Sequence, residues 1–513
     1  MKLGSIIIEV FSTQAKPSEN LTTVLNALSI PLIKRINQTT LPDLNTLLPT
    51  LHSLTQHLDG IVIGYNDSEF YVLDENRRLV THFKEYGADI AFGDGYPEGM
   101  VFLILRPETL PVMENIRTQH KISVSREVFH NIIETDVNTF DIDNIYPDHS
   151  LRTLRLSFFS NNIQNIYTLS QIKKLPQIQT LKQKSNSLYA FNDIAEIILS
   201  HKHILKTIPK YYEFTLTNYG AHHHTFSPYH THHNPNTEKK LQQKETSPQE
   251  PPISPQEPPI THLSLKNYSI MLRKARAFSK DPIIALAGCT DPTTHPKWTQ
   301  FVETTLNHKL NCIIETSALG FSKEIADTLL THPQKSFLKI IFKLNGTTAA
   351  MHAKVTGLPP NLSIETFTPQ FEKRLEAIEY YLLRNPAQSY IEITKVRDNI
   401  HHLSEFYDHF KRYTPNIIIA KYNSYKGHLQ ERRDDPMRPF YPIDCWHLKR
   451  DFYIDELGDV WVCKQDFHKK HCLGNLITDP IEQLFNNGTP YYQNHLNNWS
   501  FCKNCDEAYT YNF

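Results

Sequence analysis

Residues 445–467 read CWHLKRDFYIDELGDVWVCKQDF, followed by CLGNLITDPIEQLF at 472–485 and FCKNCDEAYTYNF at 501–513. Asp455 to Cys463 has the pattern of a hairpin: a strand, a turn at Leu457-Gly458-Asp459, and the strand VWVC. Gly458 suits the positive φ such a turn asks for. Cys463 is thereby fixed just after the turn. Cys502 and Cys505 form a CxxC knuckle, whose spacing lets two thiolates face one metal, and Cys445 enters from the other side. Four thiolates from three segments suit zinc or an iron–sulfur cluster equally well on ligand count. Cys472, just before LGN, is the spare; it reads as a neighbouring free thiol, with a role as alternative ligand as its functional reading.

Outside this stretch cysteine is sparse. Of seven in 513 residues, Cys289 and Cys312 stand alone. The start, MKLGSIIIEVF, has one Lys and few apolar residues before Glu9, which makes it a strand rather than a signal peptide. No apolar run approaches the roughly 20 residues that span a bilayer. A cytoplasmic protein with reduced thiols is expected, and in that compartment clustered cysteines point to metal before disulfides. A formal charge of −1 supplies no long-range field, so neither nucleic acid nor a membrane surface is an expected partner.

The length allows about three domains. Before residue 205, the strand-like SIIIEVF, DGIVIGY, DIAFG and MVFLIL alternate with the helical LTTVLNAL and LPTLHSLTQHL, which implies an α/β domain. Residues 234–260 are polar and proline-rich, with a tandem SPQEPPI from Ser247 to Ile260, and are expected to be disordered or partly polyproline II. His222, His223, His224, His230, His232 and His233 precede them; the tract reads as a solvated loop, since without preset geometry such histidines hold metal poorly. Beyond, IIALAG, CIIETS, FLKIIFKL, SYIEITKV and NIIIAKY alternate with helical stretches such as KWTQFVETTLNH and PQFEKRLEAIEYYLL. Serial βα units of this kind predict a parallel sheet or an incomplete barrel.

The C-terminal spacing, with Gly458 five residues before Cys463, then LGN, the IEQLF helix and CxxC, resembles a SPASM domain in its short, one-cluster form. The resemblance implies Cys445, Cys463, Cys502 and Cys505 as ligands of one [4Fe–4S] cluster, with zinc as the alternative. The thiolates are expected to hold together the last 70 or so residues, which offer little other core. SPASM domains usually follow a radical S-adenosylmethionine core. Leu216–Tyr229, LTNYGAHHHTFSPY, looks like that family's cluster loop, with Gly220, His224 and Ser227 at the three cysteine positions. IIALAGCTDPTTHPKW then resembles the family's cofactor-binding turn, which places Gly288, Asp291 and Pro292 on a vestigial S-adenosylmethionine site, with His295 and Pro296 following; Cys289 and Thr290 depart from the pattern. CIIETSALG resembles the next strand and turn, with Ala318 where Gly is usual. Without cysteines in the loop, a core fold without radical chemistry is expected, and S-adenosylmethionine is not an expected cofactor.

The first domain, through EYGADIAFGDGYPEGMVFLILRPETL, ETDVNTFDID and LRTLRLSFFSNN, looks like the GT-A cytidylyltransferase-type nucleotidyltransferases. Such enzymes use a Gly-containing basic loop and acidic residues for Mg2+. FSTQAKPSEN has one Lys and no Gly-rich loop, and the usual acid is replaced around Phe159. Asp94, Asp136, Asp141 and Asp143 remain as acids, and also fit turn formers and helix caps. Together the parts resemble the spiro-SPASM proteins of spirochaetes. That implies an α/β chain of three parts: a nucleotidyltransferase-like domain at 1–205, a radical-type partial (β/α) barrel at 206–435 with an insertion at 230–262, and a SPASM domain at 436–513. The function expected is an iron–sulfur pseudoenzyme acting in recognition or electron transfer with a protein or peptide partner. The alternative is an active nucleotide-sugar enzyme with a structural C-terminal metal domain.

Overall fold

The computed structural model describes residues 1–12, 18–185, 188–219, 225–228, 259–358, 362–434 and 444–509. The His-rich tract, and the tandem heptad up to residue 258, lie outside these. The chain divides into two compact units, Met1–Thr207 and Ile208–Phe513.

The first unit is built on β1 (Leu3–Ile8), β2 (Leu32–Ile36), β3 (Gly60–Tyr65), β4 (Ile90–Gly93), β5 (Leu103–Leu105) and β6 (Ile142–Ile145). They form one sheet in the order β2-β1-β3-β5-β4-β6, with β5 antiparallel to both neighbours. LGSIII and GIVIGY are buried along their whole length, as expected of parallel strands covered on both faces. Helices Glu19–Ala27 and Leu73–Tyr86 cover one face through Leu21, Val24, Leu79 and Phe83. Helices Leu47–Thr55, Thr109–Gln119 and Val128–Thr135 cover the other through Leu48, Leu51, Met113 and Ile132.

The second unit carries β7 (Tyr211–Phe214), β8 (Ile283–Leu286), β9 (Asn311–Thr316), β10 (Leu338–Lys343), β11 (Ser389–Lys395) and β12 (Ile417–Lys421). Neighbours in sequence are neighbours in space and all pairs are parallel, which is the expected partial (β/α) barrel. The sheet does not stop at β7. There follow β13 (Asp451–Ile454), parallel to β7, then β14 (Asp459–Trp461) and β15 (Cys472–Asn475), both antiparallel, giving nine strands. The cysteine-bearing hairpin thus extends the barrel sheet and covers an otherwise unpaired edge. The expectation that the last 70 or so residues offer little core besides the thiols is corrected: Leu448, Phe452, Ile454, Val460, Leu473, Leu476, Leu484 and Tyr492 are buried, Phe452 against Tyr212 of the barrel. Among the described residues no helix is long and apolar enough to cross a membrane.

Candidate functional site

Side chains alternate across the barrel strands. Tyr212, Phe214, Cys312, Ile314, Ile340, Phe342, Ile391 and Ile393 are wholly buried. The residues between them, Tyr211, Glu213, Ile313, Glu315, Ile341, Lys343 and Glu392, border a cavity of about 890 Å³. Tyr453 of β13 lies opposite Glu213, and Lys343 opposite Glu392, so the inner face is continuous across strands. Lys343 meets Glu315 at 2.5 Å and Glu392 at 4.0 Å. Lys343 holds Glu315 below the usual carboxylate range. Burial, reinforced by Glu315, pushes the Glu213 carboxyl up to about 7. Burial likewise raises Glu392.

The opposite wall comes from the C-terminal segment. His447 Nδ1 lies 2.7 Å from an Asp451 oxygen and 2.7 Å from the Tyr453 hydroxyl, and Lys464 pairs with Glu507 at 3.3 Å. Cys463 borders the cavity as well. The hairpin turn is as the sequence requires: Gly458 has φ +90°, and a Cβ there would stand 2.6 Å from Ile477 Cδ1.

Cys463 is buried and Cys445, Cys502 and Cys505 are half-buried. Cys445 caps the helix Trp446–Arg450, its Sγ accepting from the Leu448 N–H at 3.5 Å. Cys463 Sγ accepts from the Gln465 N–H at 3.4 Å. Cys505 N–H donates to the Cys502 carbonyl at 3.1 Å, closing the knuckle. Burial raises Cys445, with Cys505 and Cys502 adding to it. Burial raises Cys463, with Cys445 and Cys505 adding to it. The Cys502 thiol is pushed up to about 12 by burial and then by Cys505. Four thiols therefore share one buried region and repel one another's ionisation. A metal centre relieves that condition by supplying positive charge, and N–H groups aimed at sulfur suit a cluster. The donor set fits an iron–sulfur group. Among the described residues no group of three or more His, Cys, Asp and Glu side chains is placed to hold a metal ion.

Cys472 stands apart, exposed on β15, its electrostatic neighbours being Asp459, Asp455 and Asp479 rather than cysteines. Lys426 had not been foreseen. Burial lowers its pKa, while Cys463, Asp466, Cys505 and Cys502 pull the other way, and its Nζ lies 3.3 Å from the centre of the Phe501 ring. Tyr425 and Lys426 both have positive φ, which aims this cation from the turn after β12.

Of the loop positions, Gly220 and His224 lie outside the described residues. Ser227 is buried at 3 % exposure beside Phe226, which packs on Tyr422. Gly288 borders the cavity at φ +118°, where a Cβ would stand 2.5 Å from Thr215 Oγ1. Asp291 does not border it: its carboxylate accepts from Thr293, Thr316 and Ser317, tying the loops after β8 and β9 together. Pro292 is buried in the short helix Pro292–Thr294.

The acids of the first unit do not converge. Asp94 pairs with Arg152, Asp143 faces His82 at 3.4 Å, Asp136 accepts from Thr139, and Asp141 is exposed, its N–H donating to the Asp89 carboxylate. Where β1 and β3 end, Arg126 instead grips Asp67 with both oxygens, at 2.9 and 2.7 Å, and donates to the Phe11 carbonyl. Its guanidinium lies over the Phe159 and Tyr65 rings at 4.3 and 4.8 Å. Phe159 thus covers an arginine.

These features define an α/β protein whose second unit ends in a SPASM iron–sulfur cluster-binding domain: residues 445–506 match that family. The chain is similar to an uncharacterized protein of Treponema pallidum (strain Nichols), 27% identical over 398 residues, covering 74% of this chain and 97% of that one. Among solved structures it is similar to Streptococcus suis SuiB bound to S-adenosylmethionine, at 12% identity and a TM-score of 0.40, over 69% of this chain and 86% of SuiB. It is also similar to a cytidylyltransferase from Leptospira borgpetersenii, at 15% identity and a TM-score of 0.30, over 40% of this chain and 96% of that one. At such scores neither likeness adds to the strand order given above.

Proposed function

We propose that this chain is an iron–sulfur protein with one [4Fe–4S] cluster on Cys445, Cys463, Cys502 and Cys505, built on a radical S-adenosylmethionine-type barrel without radical chemistry. What supports the reading is the gathering of four cysteines within the span that matches an iron–sulfur domain, where Cys505 lies close enough to Cys445, Cys463 and Cys502 to add to the rise that burial gives each of those three. When bound, such a group stores and passes single electrons. The chain's own part is to shield the thiols from water, direct the Leu448 and Gln465 N–H groups at sulfur, and place the Lys426 ammonium near the resulting negative charge. Cleavage of S-adenosylmethionine requires a second cluster with an open iron, and Gly220 and Ser227 offer no thiolate for it. The counterpart is a protein or peptide in the cytoplasm. Anaerobic purification with iron, sulfide and zinc quantification tests the reading. Iron and labile sulfide in equal amounts, with no 5′-deoxyadenosine formed from S-adenosylmethionine after reduction, are expected. Stoichiometric zinc without sulfide, or 5′-deoxyadenosine above a no-protein control, overturns it. The nucleotide-sugar alternative is less favoured, since among the described residues Asp94, Asp136 and Asp143 are each engaged with a different partner.

A further inference from the structure

The cavity of the second unit has an unbalanced charge. Eight carboxylates border it against five Lys or Arg side chains. Those cations are already engaged: Lys343 with Glu315, Lys464 with Glu507, Lys469 with Asp455, Arg450 with Asp451, and Lys421 with the Asp506 carbonyl. Glu213 is left over; among the described residues its carboxylate has no hydrogen bond and no ion pair. It is flanked on the inner face by two aromatic rings, Tyr211 two residues earlier on the strand and Tyr453 opposite in register. A carboxylate between aromatic walls, in a pocket of ligand size, is a constellation that recognises organic cations.

We propose that this cavity binds an organic cation, a small molecule or side chain bearing an ammonium or guanidinium group, with Glu213 as its counter-charge and Tyr211 and Tyr453 as its walls. The site is independent of which metal the four thiols hold, although a four-thiolate cluster, itself negative and bordering the cavity at Cys463, strengthens the preference. An anion entering the same space meets the excess of carboxylates with no uncommitted lysine to receive it.

The test is calorimetric titration of the full-length, anaerobically purified protein with agmatine, spermidine and, as the anion, glutarate, at about pH 8, where Glu213 is ionised. Saturable binding of agmatine or spermidine is expected, weakened at least about tenfold by Glu213→Gln. Glu213→Asp, which keeps the charge, is expected to retain most of it. Ile313 shares the inner-face rung with Glu213 through Ala285; Ile313→Lys supplies an internal cation and abolishes binding, which keeps the proposal testable should Glu213→Gln fold poorly. Glutarate binding as tightly as the cations, no saturable binding of either cation, or cation binding undiminished in both Glu213→Gln and Ile313→Lys overturns the proposal.

Discussion

Tyr453 lies directly across from Glu213 in the parallel pair of β13 and β7. The hairpin that delivers Cys463 is therefore hydrogen-bonded to the first strand of the barrel, and cavity wall and thiol group share one backbone. Lys464, the residue after Cys463, faces the same cavity and pairs with Glu507, two residues beyond Cys505.

The four proposed ligands and the spare cysteine separate in a single experiment. Cys463→Ser and Cys505→Ser are expected to lose the brown absorbance and most bound iron, while Cys472→Ser keeps both, because Cys472 is exposed on β15 away from the others. Since this end is packed on the barrel through buried apolar side chains, the Cys505 variant is expected to keep its secondary structure by circular dichroism and lose only part of its thermal stability. Equal iron loss from Cys472→Ser would sink the assignment.

Gly458→Ala places a Cβ against Ile477 at a φ of +90°. The strain and clash together are expected to cost about 1–3 kcal/mol in chemical denaturation. Iron content should fall as well, because Cys463 follows this turn. A variant as stable as the parent would show that the turn relaxes freely.

Burial and Glu315 raise Glu213 from 4.5 to about 7, against Lys464, Lys343 and His447. A carboxyl raised on folding contributes stability that is fully present below its unfolded pKa and is lost as pH rises through its folded pKa. Between about pH 5 and about pH 8 the parent thus loses stability that Glu213→Gln does not, and the variant gains relative to it by about 1–2 kcal/mol after allowance for solvent in the cavity. Parallel stability–pH profiles for the two proteins would contradict this.

In the first unit, Arg126→Met strands Asp67 as a buried, unpaired acid. A loss of about 3–5 kcal/mol is expected, readable by thermal melting. The unaltered protein is expected to bind CTP with Mg2+ weakly or not at all; saturable micromolar binding lost in Asp94→Asn would restore the nucleotidyltransferase reading.

Ala318 has φ +62° and is buried, a conformation in which an L-residue is strained. Ala318→Gly is expected to raise stability by about 0.5–1 kcal/mol despite the greater freedom of glycine in the unfolded chain. A destabilised variant would mean that the lost methyl contact outweighs the relieved strain.

The barrel was legible because its strands are apolar runs with helical segments between them: IIALAG, CIIETS and FLKIIFKL each became a strand in the expected order. The hairpin was legible through Gly458. The inner face was not read, although it is written in the same strands: Glu213 in YYEF, Glu315 in NCIIET, Lys343 in LKIIFK and Glu392 in SYIEITK put charge at alternate positions of strands that, if covered on both faces, should be apolar throughout. The pairing of β13 with β7 was out of reach, since nothing local in DFYI names a partner so far upstream. Lys426 was missed because its placement rests on two positive φ values at non-glycine residues, which sequence does not announce.

The pairing of β7 with β13 also sets an order of events during synthesis. Asp451 follows its partner Tyr211 by 240 residues. At a translation rate of about 5–20 residues per second, the first barrel strand emerges about 12–50 s before the segment that will lie beside it. Through that interval YYEF presents one bare edge, whose unpaired backbone N–H and C=O groups can template a foreign strand. The nascent chain is thus expected to be most exposed to misassociation at the strand that later pairs with the hairpin, and a holdase chaperone that shields this edge is expected to raise its yield.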